Sequence, residues 1–452
     1  MVGNENNNGN GGIKEVYTQK LRSADDVAGM VKSGNRIFFG EFVLYPEALD
    51  EALAKRASEL KDVFIEGVSV THVPHFIKAD LKREHFIYMD WHITGVGRKL
   101  YKQGLCNYIP LTYHQGPRVI RKYNDYDYVF VNSGPMDSRG YFNFGICNSV
   151  TSSVITKAKK IVVEVNENQP HCLGGNQESV HISRVDYIVE GKNSPLLEVP
   201  PAKPSEIDTQ IAEHIMPMIE NGSCLQLGIG GLPNVIGNMI VQSELKDLGI
   251  HTEMLVDSMV DLYDAGKISG NYKTIDRFKM VYTFAMGTKK LYDFLDDNPA
   301  CASYPVNYTN DPRVIAINSK VVAINNAIEV DLFSQVCSES VGVNHISGTG
   351  GQFDFIFGAF NSRGGKGIIG LSSTFKDKDG NIKSRIVPTL TPGAIVTVPR
   401  SVTQYVATEY GIVQLKGKST WERAHELISI AHPDFRDELT EQAESMKIWL
   451  ER

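Results

Sequence analysis

Three short stretches of this 452-residue chain hold residues whose types and spacing could do chemistry. Residues 228–233 read GIGGLP, 251–253 read HTE, and 348–355 read GTGGQFDF. A carboxylate such as Glu253 can attack an acyl carbon, and the oxyanion that develops needs N–H donors aimed at it. Glycine-rich turns let backbone amides come that close, because no Cβ stands in the way. A strand followed by GIGG and a helix also sets backbone N–H groups at a helix N-terminus, a ready site for negative charge. On this reading Glu253 emerges at the end of a strand, IHTEMLVD, with the GIGG amides near it and Gly350 and Gly351 supplying a second wall.

Plainer readings of the same residues stay open. Glu253 could be a solvated acid at a strand end, and Gly350 and Gly351 an ordinary tight turn. GIGGLP could be a dinucleotide-binding turn, with Glu253 at close to the spacing of a ribose-binding acid. Against that, Pro233 stands where the third glycine of the fingerprint belongs. An internal repeat adds an ambiguity: residues 33–67 lie over 221–254, with Gly40 on Gly228, Pro46 on Pro233, SELKD on SELKD and Glu66 on Glu253. Side-chain chemistry alone does not choose between the two glutamates.

The elements that must hold these loops have a strong α/β pattern. Apolar runs such as RIFFG (36–40), YDYVFVN (126–132), KIVVEVN (160–166), CLQLGIG (224–230), KMVYTFAMG (279–287), KVVAINNAIEVDLF (320–333) and AIVTV (394–398) read as strands covered on both faces. Helical patterns fall between them, including 46–61 and 233–246, each opening with proline. Alternation of this kind implies a largely parallel sheet. Four prolines in 194–206 mark a linker. The expected order is a disordered tail over 1–12, an α/β domain over 13–193, the linker over 194–206, and a second similar domain over 207–452. Two copies of one open α/β domain would place a ligand in the cleft between them.

Composition narrows the function classes. Hydrophobic residues make up 42% and charged residues 22%, with a net charge of −7 spread along the chain. No basic footprint for nucleic acid or an anionic membrane surface is present, and no apolar stretch approaches spanning length. Six cysteines fall singly, which suits a reducing cytoplasm better than a disulfide framework or zinc knuckle. The first residues, MVGNENNNGNGG, lack the basic and apolar regions of a secretory signal. His72 and His75 form a close pair without further ligand-type neighbours, so no metal site is expected.

Longer motifs then settle what single residues leave open. GIHTEMLVDSMVDLYDAGKISG, NYTNDP, SGTGGQFDFIFGA, STFKDKDG, VATEYGIVQLKGKS and ISIAHPDF, with GPMDSRGYFNFG and VEVNENQP in the first half, resemble the acetyl-CoA hydrolase/transferase family. Within it they are most similar to the butyryl-CoA:acetate and 4-hydroxybutyrate CoA-transferases. The resemblance covers almost the whole chain and implies two similar α/β domains of the CoA-transferase type. It assigns the nucleophile to Glu253 rather than Glu66. It also implies that Gly228, Ile229, Gly230, Gly231 and Leu232 form a CoA-binding and oxyanion loop with the Ile229 amide as donor. Gly350 and Gly351 belong to a second CoA loop, Ile328 and Lys376 contact CoA, and Asn310 orients the reacting carboxylate. The implied reaction passes CoA from a short-chain acyl-CoA, butyryl-CoA first, to acetate through a glutamyl-CoA thioester. Coenzyme A is then a substrate, and no metal or redox cofactor is needed. A propionate or 4-hydroxybutyrate transferase, a hydrolase and a non-catalytic acyl-CoA-binding module are the alternatives. A cytoplasmic homo-oligomer is expected.

Overall fold

The computed structural model describes residues 9–448. The chain divides into two compact units. The first comprises the chain up to Leu111, Gln115–Glu198 and Thr283–Asn307; the second comprises Thr112–His114, Val199–Tyr282 and the chain from Tyr308 onward. Of the tail expected over 1–12, residues 1–8 lie outside the described residues, and 9–12 open a helix that runs to Lys20. Residues 191–205 carry no regular structure, as their prolines require.

In the first unit a parallel sheet is built from β1 (Arg36–Glu41), β2 (Val63–Val68), β3 (Phe86–Asp90), β4 (Asn107–Tyr108), β5 (Tyr126–Ser133), β6 (Ala158–Val165) and β7 (Tyr187–Glu190), in the order β4-β3-β2-β1-β5-β6-β7. The five last residues of β6 are all buried, the pattern of a strand covered on both faces. Helix α1 (Glu47–Lys55) covers one face with Leu49, Ala52 and Leu53, spaced for a single helical stripe. Leu49 and Leu53 are fully buried, each contributing about 2 kcal/mol. Pro46 caps this helix rather than starting it.

The second unit repeats that pattern. Its sheet runs β9-β8-β10-β11-β12-β13, built from β8 (Cys224–Leu227), β9 (Gly249–Ile250), β10 (Val321–Asn326), β11 (Lys366–Gly370), β12 (Tyr405–Thr408) and β13 (Gly411–Gln414), with only the last pair antiparallel. As β1 pairs with β2, so β8 pairs with β9 after an intervening helix. Three helices concern the site. Helix α2 (Glu206–Ile215) opens on a capping box of Ser205 and Asp208. Helix α3 (Gly231–Gln242) follows β8, and helix α4 (Gln352–Asn361) buries Phe355 and Ala359 beside Val321 and Ala323. No described helix is long and apolar enough to cross a membrane.

Two strand expectations change. The run 279–287 is divided between the units at Thr283. Its later part joins the first unit, where the Thr283 carbonyl accepts from the Asn148 and Ser149 amides and Ala285 donates to Ile146. The run 394–398 forms no strand: Ile395 and Val396 are exposed, and only its end, Thr397 and Val398, is buried, with Val398 bridging to Val336.

Candidate active site

Each residue of HTE is tied down separately. Strand β9 ends at Ile250, in register with Leu225 of β8. His251 Nε2 lies 2.8 Å from the Thr309 carbonyl, and since a carbonyl only accepts, this nitrogen carries the proton. Burial, with the nearby Lys273 charge, lowers the His251 imidazole to about 4, so the ring is neutral. Thr252 Oγ1 donates to the carbonyls of Leu227, at 3.4 Å, and Met254, at 3.1 Å. Glu253 sits at the bend that follows, before the short strand Met254–Leu255. The histidine thus ties the Glu253 segment to the turn carrying Asn310, and the threonine ties it to the carboxyl end of β8.

Glu253 is half-buried, accessible as a nucleophile must be. Burial pushes its carboxyl up to about 7, opposed by a hydrogen bond from Asn310 and reinforced by the charge of Asp354. Asn310 is fully buried and its Nδ2 donates to Glu253 Oε2 at 2.5 Å. Its side chain also hydrogen-bonds Asp354, so the amide serves two carboxylates. Asn310 Oδ1 is buried without a hydrogen-bond partner among the described residues.

The GTGG loop stands against the same carboxylate. A Cβ on Gly351 would overlap Glu253 Oε2 and Asn310 Nδ2, so the bare Cα leaves room for the acid. Gly350 has φ +52°, the left-handed region that glycine enters without cost. Gln352 opens α4 and its Nε2 donates to the Asn326 carbonyl at 2.7 Å. Asn326 ends β10, and its side chain faces Gly230, whose Cβ would lie 3.5 Å from Asn326 Nδ2. The GIGG loop, the end of β10 and the GTGG loop therefore adjoin at the carboxyl ends of parallel strands, where open sheets bind ligands.

Within GIGGLP the residues differ in what they can do. Ile229 is 52% exposed at the tip. Gly230 has φ +125° and caps α3, leaving the amides of Gly231 and Leu232 without intrahelical partners. Pro233, the third residue of α3, has no N–H to leave unpaired. A Cβ on Gly228 would meet open space, whereas one on Gly231 would strike the Asp208 carboxylate of α2. Leu232 is buried at 3% exposure and packs on Gly370, so its side chain is core and its amide alone can serve a ligand.

The remaining expected contacts are not gathered about Glu253 by any such bond. Ile328 spends both backbone groups, its amide on Cys337 and its carbonyl on Arg385, which leaves the side chain to touch a ligand. Lys376 is exposed on the hairpin of Thr374–Lys376 and Ile382–Ser384. Glu66, the repeat partner, is buried in β2 and accepts from Arg36 at 3.0 Å and from the Trp91 indole at 2.9 Å. Asp354, His114 and Asn326 join the cluster without having been singled out as site residues, although Asp354 lies in GTGGQFDF and Asn326 in the run 320–333.

The family model for the acetyl-CoA hydrolase/transferase N-terminal domain matches residues 5–200, and that for the C-terminal domain matches 287–443. A butyryl-CoA:acetate CoA-transferase of Anaerostipes caccae is 49% identical over 97% of this chain and 98% of its own length. A 4-hydroxybutyrate coenzyme A transferase of Clostridium kluyveri is 40% identical over 94% and 97%. The crystal structure of RipA from Yersinia pestis superposes with a TM-score of 0.89 at 37% identity, over 96% of this chain and 99% of that one. With both family domains matched along most of its length, the chain belongs to the acetyl-CoA hydrolase/transferase family.

Proposed function

We propose that this protein is a CoA-transferase that moves coenzyme A from butyryl-CoA to acetate, releasing butyrate and acetyl-CoA, with Glu253 as nucleophile. The observation that carries the chemistry is the Glu253 carboxylate held by a neutral amide against a bare glycine, with no cation bonded to it among the described residues. Such an acid is poorly solvated and oriented, and both properties favour nucleophilic attack. The likeness to a butyryl-CoA:acetate enzyme over nearly the whole chain supports the choice of acyl group.

Glu253 Oε attacks the thioester carbon, the C–S bond breaks, and CoA leaves as thiolate with a mixed anhydride behind it. The thiolate then attacks the glutamyl carbonyl, the anhydride C–O bond breaks, and butyrate departs from a glutamyl-CoA thioester. Acetate repeats the two steps in reverse, regenerating the carboxylate. Amides of Ile229, Gly230 and Gly231 face the developing oxyanion, and Asn310 keeps the nucleophilic oxygen in line. Gly228, Leu232, Ile328, Gly350, Gly351 and Lys376 complete the CoA contacts, and the enzyme works as a cytoplasmic homo-oligomer.

The test is chemical. Incubated with butyryl-CoA alone, denatured and digested, the protein should carry CoA on the peptide containing Glu253, and acetate added beforehand should discharge it. Steady release of free CoA without acetate would instead identify a hydrolase, and binding without any label a non-catalytic module.

A further inference from the structure

Thr112–His114 are flanked in sequence by residues of the first unit yet pack with the second. They grip the GTGG turn on both sides of Gly351. The Tyr113 amide donates to the Gly350 carbonyl at 3.2 Å, and the His114 amide donates to Asp354 Oδ2 at 3.1 Å. His114 Nδ1 lies 2.7 Å from Asp354 Oδ1. One buried carboxylate thus receives the backbone and the ring of the same histidine, which fixes the ring in place.

That pair answers an electrostatic difficulty. Glu253 and Asp354 share the Asn310 amide, and two neighbouring negative charges oppose each other's ionisation. Glu253 must be ionised to attack. We propose that His114, held as an imidazolium on Asp354, is a positioning residue of the transfer reaction: it cancels the Asp354 charge so that Glu253 alone meets the acyl group as an anion. The proposal rests on Glu253 being the nucleophile.

The surrounding charges agree in direction. Burial lowers the His114 imidazole, but the hydrogen bond and charge of Asp354, helped by Asp311 and opposed by Arg313, raise it on balance. Arg313 is itself paired with Asp311 at 2.6 Å and its side chain is 90% exposed, so solvent screens its charge, whereas the buried Asp311 is screened less. Burial raises the Asp354 carboxyl, opposed by its bonds to His114 and Asn310.

The experiment measures CoA thioester on the Glu253 peptide from butyryl-CoA across a pH series. The wild type, His114→Gln, Asp354→Asn and the double variant are compared, with melting curves for each. His114→Gln should move the acid limb upward by about one pH unit and lower labelling near neutrality roughly tenfold. Removing both charges should return the limb to the wild-type position or below it. An unlabelled wild type sinks the nucleophile assignment itself. A labelled wild type with the same limb in His114→Gln overturns the proposal, as does a double variant that is slower still with its limb displaced upward. Where a variant fails to fold, NMR titration of His114 in the wild type decides: a ring titrating below the usual histidine range overturns the proposal, and one above it supports it.

Discussion

Asn310 Nδ2 stands 2.5 Å from Glu253 Oε2, and this is the hydrogen bond that turns a half-buried acid into an oriented one. It runs from a neutral donor, so it holds the carboxylate without quenching it as an ammonium or guanidinium would. A hydrogen bond to an ionised group contributes about 1.5–3 kcal/mol. Asn310→Ala should therefore slow formation of the glutamyl-CoA thioester by roughly ten- to a hundredfold. Asn310→Asp should do worse at neutral pH, since it replaces a donor with another negative charge. Single-turnover labelling of the Glu253 peptide measures both, and an Asn310→Asp enzyme at wild-type speed would remove Asn310 from the mechanism.

The repeat puts two glutamates in equivalent places, and their surroundings predict opposite phenotypes. Glu253→Gln should abolish turnover, because an amide cannot become the anhydride oxygen. Glu66→Gln should leave most turnover intact and destabilise the first unit, because Glu66 is fully buried between Arg36 and Trp91. Weakening one charged hydrogen bond to a partly exposed arginine costs on the order of 1–2 kcal/mol. Denaturant melting and an initial-rate assay separate the two effects. A fully stable, inactive Glu66→Gln protein would reverse the assignment.

Glu253 also ties activity to pH. Its carboxyl is raised by burial to about 7 from 4.5, and in the proposed mechanism only the carboxylate attacks. Thioester formation should fall about tenfold per pH unit below that midpoint. Stability runs the other way. A raised acid favours the fold below its unfolded value of 4.5, and that contribution is lost as pH rises through 7. At pH 8 Glu253→Gln should be more stable than wild type by up to about 3 kcal/mol, with no difference at pH 4. Paired melts at the two pH values test this; a variant less stable than wild type at pH 8 contradicts it.

How much of this was legible beforehand varied with the range of the interaction responsible. Doubly buried parallel strands such as β6 announce themselves because the stretch covered on both faces is nearly all apolar, here Ile161, Val162, Val163 and Val165 with Glu164 the exception. The repeat was legible because both copies need glycine, proline and a helix after the strand. The fine roles were not. Beside the ligand-loop reading of Leu232 and Gly231, contacts with Gly370 and Asp208 also bury the one side chain and leave no room for a Cβ on the other. The division of the run 279–287 at Thr283 depends on partners at Ile146, Asn148 and Ser149. His114 bonds a residue 240 positions later, and no local pattern marks it. Local chemistry offers two candidate glutamates and the longer motifs favour Glu253, whereas the groups that bond and face it arrive from elsewhere in the chain.

Gly230 and Gly351 are bare for different reasons, and a matched pair of alanine variants should show it. Gly230 holds φ +125°, so alanine there strains the backbone by about 1–3 kcal/mol and lowers the melting temperature. Room for the methyl group exists, since its nearest neighbour is Asn326 at 3.5 Å. Gly351 has φ −98°, an ordinary value for any residue, so alanine brings no backbone strain. Its methyl group would instead occupy the place of Glu253 Oε2 and Asn310 Nδ2, and the carboxylate must swing away. Gly351→Ala should thus melt near wild type while losing at least two orders of magnitude in kcat/KM, about 2.7 kcal/mol of transition-state stabilisation. The loss should sit in kcat, because the displaced group is the proposed nucleophile rather than a binding contact. If Gly351→Ala instead raises KM alone and labels Glu253 at the native rate, the glycine serves CoA binding and its contact with Glu253 is incidental.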